Sequence, residues 1–229
     1  MFAIFLNGFA ICLGGFLGYF FKNHSSLKLS RAIIIVMGFQ IFAMGIKDAI
    51  HYENGMLNVI YLVIGTVIGE IVDIDKKLKS MALFFQNKFA KNSHGFVNGF
   101  ITATLIFCIG SMAVIGPLKI ALEKDSSIIY IKAILDGIMA MFLASTYGLG
   151  VLFSAIIVII YQGGIFLLAE ILKTATDPHV LNQLSSIGGV LLTGLAFTFI
   201  FEKTDIKISN MLPAMLIPVL AAIIKNIFV

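Results

Sequence analysis

Long apolar runs alternate with short polar segments along the whole chain. Eight of these runs approach the roughly 20 residues that a helix needs to cross about 30 Å of hydrocarbon. They fall at 2–21, 32–50, 56–73, 96–118, 128–145, 149–171, 183–201 and 210–228. The pattern predicts an all-α, polytopic transmembrane helix bundle of about eight spans. The count drops to seven if the fifth and sixth runs, divided only by the glycine break ASTYGLG, form one span.

One polar segment differs from the rest. Leu78, Met81, Ala82, Phe85 and Phe89 recur at helical spacing, with Lys76, Lys77, Lys79, Lys88 and Lys91 between them. This predicts an amphipathic helix in the cytoplasmic interface, apolar side in lipid and lysines toward anionic headgroups. It divides a single membrane domain into a three-span front (1–75), an interfacial linker (76–94) and a five-span back (95–229).

Composition agrees with the bilayer as solvent. Of 229 residues, 59% are hydrophobic and 12% are charged, half the roughly 25% usual in soluble domains. The mean hydropathy is +1.03. A pI near 9.0 does not point to nucleic acid, because the basic residues sit in short segments between apolar runs. The segments KNHSSLKLSR, DIDKKLKSMALFFQNKFAK and EKTDIKIS hold 10 of the 16 basic residues. By the positive-inside rule these face the cytoplasm, which places the N-terminus outside. The first apolar run carries its lysine after the core, Lys22, and not before it. A retained first span is therefore expected, not a cleaved signal peptide.

Cys12 and Cys108 stand in separate apolar runs and read as small buried hydrophobes. His24, His51, His94 and His179 all fall in expected connections. No metal-ligand spacing and no phosphate-loop signature occurs, so no cofactor and no enzymatic chemistry is expected.

The chain also copies itself weakly. LNGFAICLGGFLGYFFKNHSSLK (from Leu6) aligns with LNVIYLVIGTVIGEIVDIDKKLK (from Leu57), sharing Leu-Asn and glycines seven and eleven residues after the Asn. LNQLSSIGGVLLTG (from Leu181) keeps the Leu-Asn and the first glycine. Duplicated hairpins account for this, and so does the use of small residues for close helix packing. Asn7–Phe9 and Asn98–Phe100 share NGF in spans of opposite direction, so parallel and inverted repeats both stay open.

Ionisable residues within spans are costly and mark function or pairing. Lys132 and Asp136 stand one turn apart in the fifth span. Lys132 is near enough to the outer end to snorkel, whereas Asp136 is deep and short and must face a polar partner or water. In ASTYGLG, Gly148 and Gly150 permit unwound backbone, with Ser145 and Thr146 available to the freed groups. Such backbone at membrane depth implies surrounding protein or a wet cavity. FCIGSMAVIGP, with Gly110 and Ser111, forms a second such break. Gln40 and Gln162, near the centres of two spans, could pair as interhelical amides. Pro218 should kink the last span, with Pro213 in its first turn.

At FCIGSMAVIG, LDGI, ASTYGLGV, YQGG and NMLPAMLIP the sequence resembles the bacterial integral membrane proteins catalogued as domain of unknown function 554, over essentially the whole chain. Ser111 and Tyr147 stand where that family often has Ala and Leu. The resemblance implies a compact polytopic protein of the bacterial inner membrane and supplies no catalytic residues.

Together these features point to a small secondary transporter or permease for a small ion or polar metabolite. Asp136, Lys132, Gly110, Ser111, Ser145, Thr146, Gly148, Gly150, Gln40 and Gln162 are the expected pathway residues. The alternatives are a passive channel and a regulatory or assembly subunit. The expected partners are the lipid bilayer and a small solute or ion, with homo-oligomerisation allowed and nucleic acid not.

Overall fold

The computed structural model describes residues 1–22, 27–52, 54–91, 93, 95–172, 177–201 and 206–228. Among these the chain is all-helical. The helices are α1 (Phe2–Lys22), α2 (Leu27–Ala49), α3 (Gly55–Val72), α4 (Ile74–Phe89), α5 (Phe96–Cys108), α6 (Ser111–Glu123), α7 (Ser127–Tyr147), α8 (Gly150–Leu167), a single turn α9 (Ala169–Leu172) and α10 (Pro178–Ile200). A 3-10 segment, Ile208–Met215, leads into α11 (Ile217–Phe228).

Seven segments are individually long and apolar enough to cross a membrane, the 3-10 segment and α11 together forming the last. Helices α5 and α6 pass only as a pair, bent by 59° at Ile109–Gly110. The pair crosses as one broken span. Gly14 meets Gly137 and Gly18 meets Met141, so α1 and α7 run parallel. Helix α7 therefore begins at the face where α1 begins, whereas α5 begins at the opposite face, beside α4.

Glycines set the closest approaches. A Cβ on Gly14 or Gly18 would overlap the α7 backbone, and one on Gly65 or Gly69 would overlap the backbone of Ala214 or Asn210. Gly189 meets α2 in the same way at Gly45 and Ala49. These are the glycines of the weak sequence copies, so the recurrence has a local packing account at each place. The seams differ in direction: parallel for α1 with α7, antiparallel for α3 with the 3-10 segment.

Three expectations change. Part of the apolar side of α4 is turned into the protein, while Met81 and Phe89 stay exposed. Leu78 and Ala82 are buried, and Phe85 packs 5.9 Å from Phe100 and 5.4 Å from Phe153, ring centre to ring centre. The reason is a polar latch at the α3–α4 corner. Asp73 ends α3 in the left-handed region, φ 51°, and caps α4 by accepting from the N–H of Lys76. Asp75 is then fixed by Lys79 at 2.6 Å, by the hydroxyl of Ser209 at 3.2 Å, and through its own N–H to Asn210 Oδ1 at 2.8 Å.

The seventh span starts earlier than residue 183, because Asp177 caps and Pro178 opens α10. His179 accordingly lies in the first helical turn and not in a connection. His51 lies in a connection, and His24 and His94 lie outside the described residues. In the last span Pro213 sits inside the 3-10 segment and Pro218 near the start of α11, so the break falls at Leu216.

The seams are testable. Gly14→Ala and Gly69→Ala should each lower stability by about 1–3 kcal/mol through overpacking. Gly163→Ala, whose Cβ meets nothing within 4 Å, should leave it unchanged or raised. Thermal unfolding of the purified protein in detergent measures all three.

Candidate functional site

Lys132 and Asp136 stand four residues apart on α7, a spacing that brings their side chains onto one face. Asp136 Oδ1 and Oδ2 lie 2.9 and 2.8 Å from Lys132 Nζ, so the carboxylate receives the ammonium on both oxygens. Both residues are buried, at 6% and 7% exposure. Lys132 therefore turns inward to its partner instead of snorkelling to the surface. A cation and an anion that neutralise each other cost far less in a low-dielectric interior than either alone.

Two amides complete the cluster from other helices. Asn7 of α1 donates through Nδ2 to Asp136 Oδ2 at 3.2 Å and to Gln162 Oε1 of α8 at 3.3 Å. Asn7 and Gln162 are fully buried, and Asn7 Oδ1 and Gln162 Nε2 have no hydrogen-bond partner. The glycine seam makes this reach possible: Gly137, next to Asp136, lets α1 approach through Ala10.

On its other side the ion pair opens to a cavity of about 800 Å³ between α2 and α7, floored by the α5–α6 break. Lys132, Asp136, Gln40, Gly110 and Ser111 line it, with Lys47 and Asp48 toward one end and apolar side chains such as Met37, Ile109 and Met139 between. Gly110 adopts φ 111° and ψ 152°, a region open essentially to glycine alone. It ends one half-helix and begins another, so the first N–H groups of α6 lack helical partners beside the cavity.

The family model described as "Protein of unknown function (DUF554)" matches residues 2–223. The chain belongs to this family. It is 29% identical to "Uncharacterized membrane protein YdfK" of Bacillus subtilis (strain 168), an alignment that covers 100% of this chain and 98% of that protein. It is also 28% identical to "Uncharacterized protein YqgA" of Escherichia coli (strain K12), covering 93% and 92%. No solved structure matches.

Within this family member the expected pathway residues separate into two places. Asp136, Lys132, Gln40, Gly110 and Ser111 share the cavity. Gln162 lies behind the ion pair and bonds to Asn7, so Gln40 and Gln162 do not pair with each other. Ser145, Thr146, Gly148 and Gly150 are elsewhere. They form the end of α7 and a two-residue turn into α8, beginning about 14 Å along the helix from Asp136 at 1.5 Å per residue. Gly148 takes φ 84° to make that turn, and a Cβ on Gly150 would overlap the carbonyl of Phe96. The Ser145 hydroxyl donates to Phe142 O within its own helix. This break is a connection between two full spans, because 21 and 18 residues on either side already suffice to cross.

Asn7 is the residue that sequence reasoning did not place in the site. Its signal was present as the recurring Leu-Asn ahead of the glycines. Asn58, its counterpart, is likewise buried and hydrogen-bonded, to the Ser186 hydroxyl. Among the described residues no group of three or more His, Cys, Asp or Glu could hold a metal ion.

Asp136→Leu and Lys132→Met should each cost on the order of 3–5 kcal/mol, because each leaves one buried charge uncompensated. The double variant Lys132→Met with Asp136→Leu should recover most of that loss. Melting temperatures of the four proteins in detergent form the cycle, and additive losses would mean that the pair does not act as a unit.

Proposed function

We propose that this chain is a small secondary transporter or permease of the bacterial inner membrane, with its N-terminus outside, moving a small ion or polar metabolite. The observation that carries the reading is the buried Lys132–Asp136 pair at the edge of a cavity floored by a broken helix. Intramembrane ionisable groups and discontinuous helices are where transporters place their sites. The half-helix ends at Gly110 direct partial charge toward the cavity, and Gln40 and Ser111 supply further polar contacts. Asp136 serves as the ion-linked carboxylate and Lys132 as its resident counter-charge.

The orientation is supported by the 10 of 16 basic residues in the three segments named above. The reading calls for no enzymatic step and no cofactor. One feature favours a second reading, a subunit of a membrane complex. The cavity has apolar rims, Val36, Leu135 and Ile138, that are exposed on the helix surfaces and that another membrane protein could cover.

Cysteine accessibility separates the two. With Cys12 and Cys108 replaced by Ala, Ser111→Cys and Gln40→Cys should react with a small charged thiol reagent in intact membranes. Ile160→Cys, on the exposed outer side of α8, should not. Protection at Ser111 and Gln40 would remove the aqueous pathway and leave the subunit reading.

A further inference from the structure

The two amide atoms without partners behind Asp136 form a pattern. With Asp136 ionised, the Asn7 NH2 group donates to the carboxylate and to Gln162 Oε1, which leaves Asn7 Oδ1 and Gln162 Nε2 unused. Turn both amides over and the unused atoms become the ones needed. Asn7 Oδ1 would then accept from a protonated Asp136 hydroxyl and from Gln162 Nε2. The same two buried side chains can thus serve either charge state of the carboxyl group, one arrangement for each.

The charges decide what accompanies the proton. A proton on Asp136 alone leaves Lys132 as a lone buried cation, and an anion alone leaves the cluster with net charge −1. Each state carries an uncompensated buried charge, costing several kcal/mol per ion. A proton and a monovalent anion entering together leave it neutral: Asp136 becomes a carboxylic acid and the anion takes its place on Lys132. A metal cation has no comparable route, because Lys132 already occupies the cation position on both carboxylate oxygens.

Resting on the transport reading above, we infer that the cavity takes a small monovalent anion together with one proton, the proton on Asp136 and the anion on Lys132. Asn7 and Gln162 are positioning residues that stabilise both charge states. The apolar walls at Met37, Ile109 and Met139 suit an anion with an apolar body over a highly hydrated one. The other titratable groups on this side are Cys108 of α5 near the pair, Tyr161 of α8 near Cys108, and Lys47 and Asp48 of α2 across the cavity. Helix α1 presents only the amide of Asn7 to Asp136.

The test is proton uptake on anion binding by the purified full chain in weakly buffered detergent solution, followed with an indicator dye. The probes are chloride, nitrate, pyruvate and benzenesulfonate. All four stay fully ionised near neutral pH, so any pH dependence there belongs to the protein. The inference predicts one proton taken up per anion bound for at least one probe. It also predicts affinity falling about tenfold per pH unit where Asp136 is ionised, as one-proton linkage requires.

Asp136→Asn should bind the same anion with no proton uptake and no pH dependence, and should melt higher when it is added. Asn7→Leu should move the pH profile of binding upward, since a hydrogen bond to a carboxylate is stronger than one to its neutral acid. Binding without proton uptake, or no binding of any of the four probes, would overturn the inference. Pure preference for a zwitterion such as leucine, without proton uptake, would overturn it as well. If Ser111→Cys and Gln40→Cys label while proton uptake is absent, the pathway stands and this inference fails; if neither labels, the pathway itself fails.

Discussion

A lysine and an aspartate that neutralise each other out of water are what the centre of this bundle is arranged around. Neither can be buried alone at tolerable cost, and their own helix supplies only the spacing that joins them. The remaining support comes from other helices. Asn7 arrives on α1 because Gly14, Gly18 and Gly137 bring two backbones into contact, and Gln162 arrives on α8 to hold Asn7. Close backbone packing and buried polar chemistry therefore occur together in this set of helices.

The opposite side of the pair is built differently. Helix α2 stands off from α7 along much of its length, and the space between is bounded by the α5–α6 break. The bend of 59° there depends on Gly110, whose backbone conformation other residues rarely reach. A closed, hydrogen-bonded back and an open, mostly apolar front make the charged pair accessible from one direction. That asymmetry is what supports the proposed site over a purely structural ion pair, which would be enclosed on all sides.

Much of the architecture was legible in the sequence, because a bilayer demands apolar runs of set length and the chain has few other residues to confuse them. Asp136 stood out for the same reason: a short carboxylate deep in a span has no way to reach water. What could not be read was orientation about each helix axis. Lys132 was long enough either to snorkel or to turn inward, and only its partners decide. Gln40 and Gln162 looked equivalent by depth, yet one faces the cavity and the other the packed interior. The glycines at 148 and 150 matched those near 110 in composition, but the former lie between two complete spans and the latter within one. Asn7 was hidden by the first span's high hydropathy, since a single amide changes that average little.

The central claim, that water and not lipid reaches the buried pair, is tested most directly by paramagnetic collision. A spin label at Ser111→Cys, in the protein reconstituted into lipid with Cys12 and Cys108 replaced by Ala, would be compared with one at Ile160→Cys. The account predicts that the Ser111 label collides more with a water-soluble nickel chelate than with molecular oxygen, and that the Ile160 label shows the reverse. Oxygen-dominated collision at both positions would contradict it, placing acyl chains in the cavity and leaving Lys132 and Asp136 as packing groups.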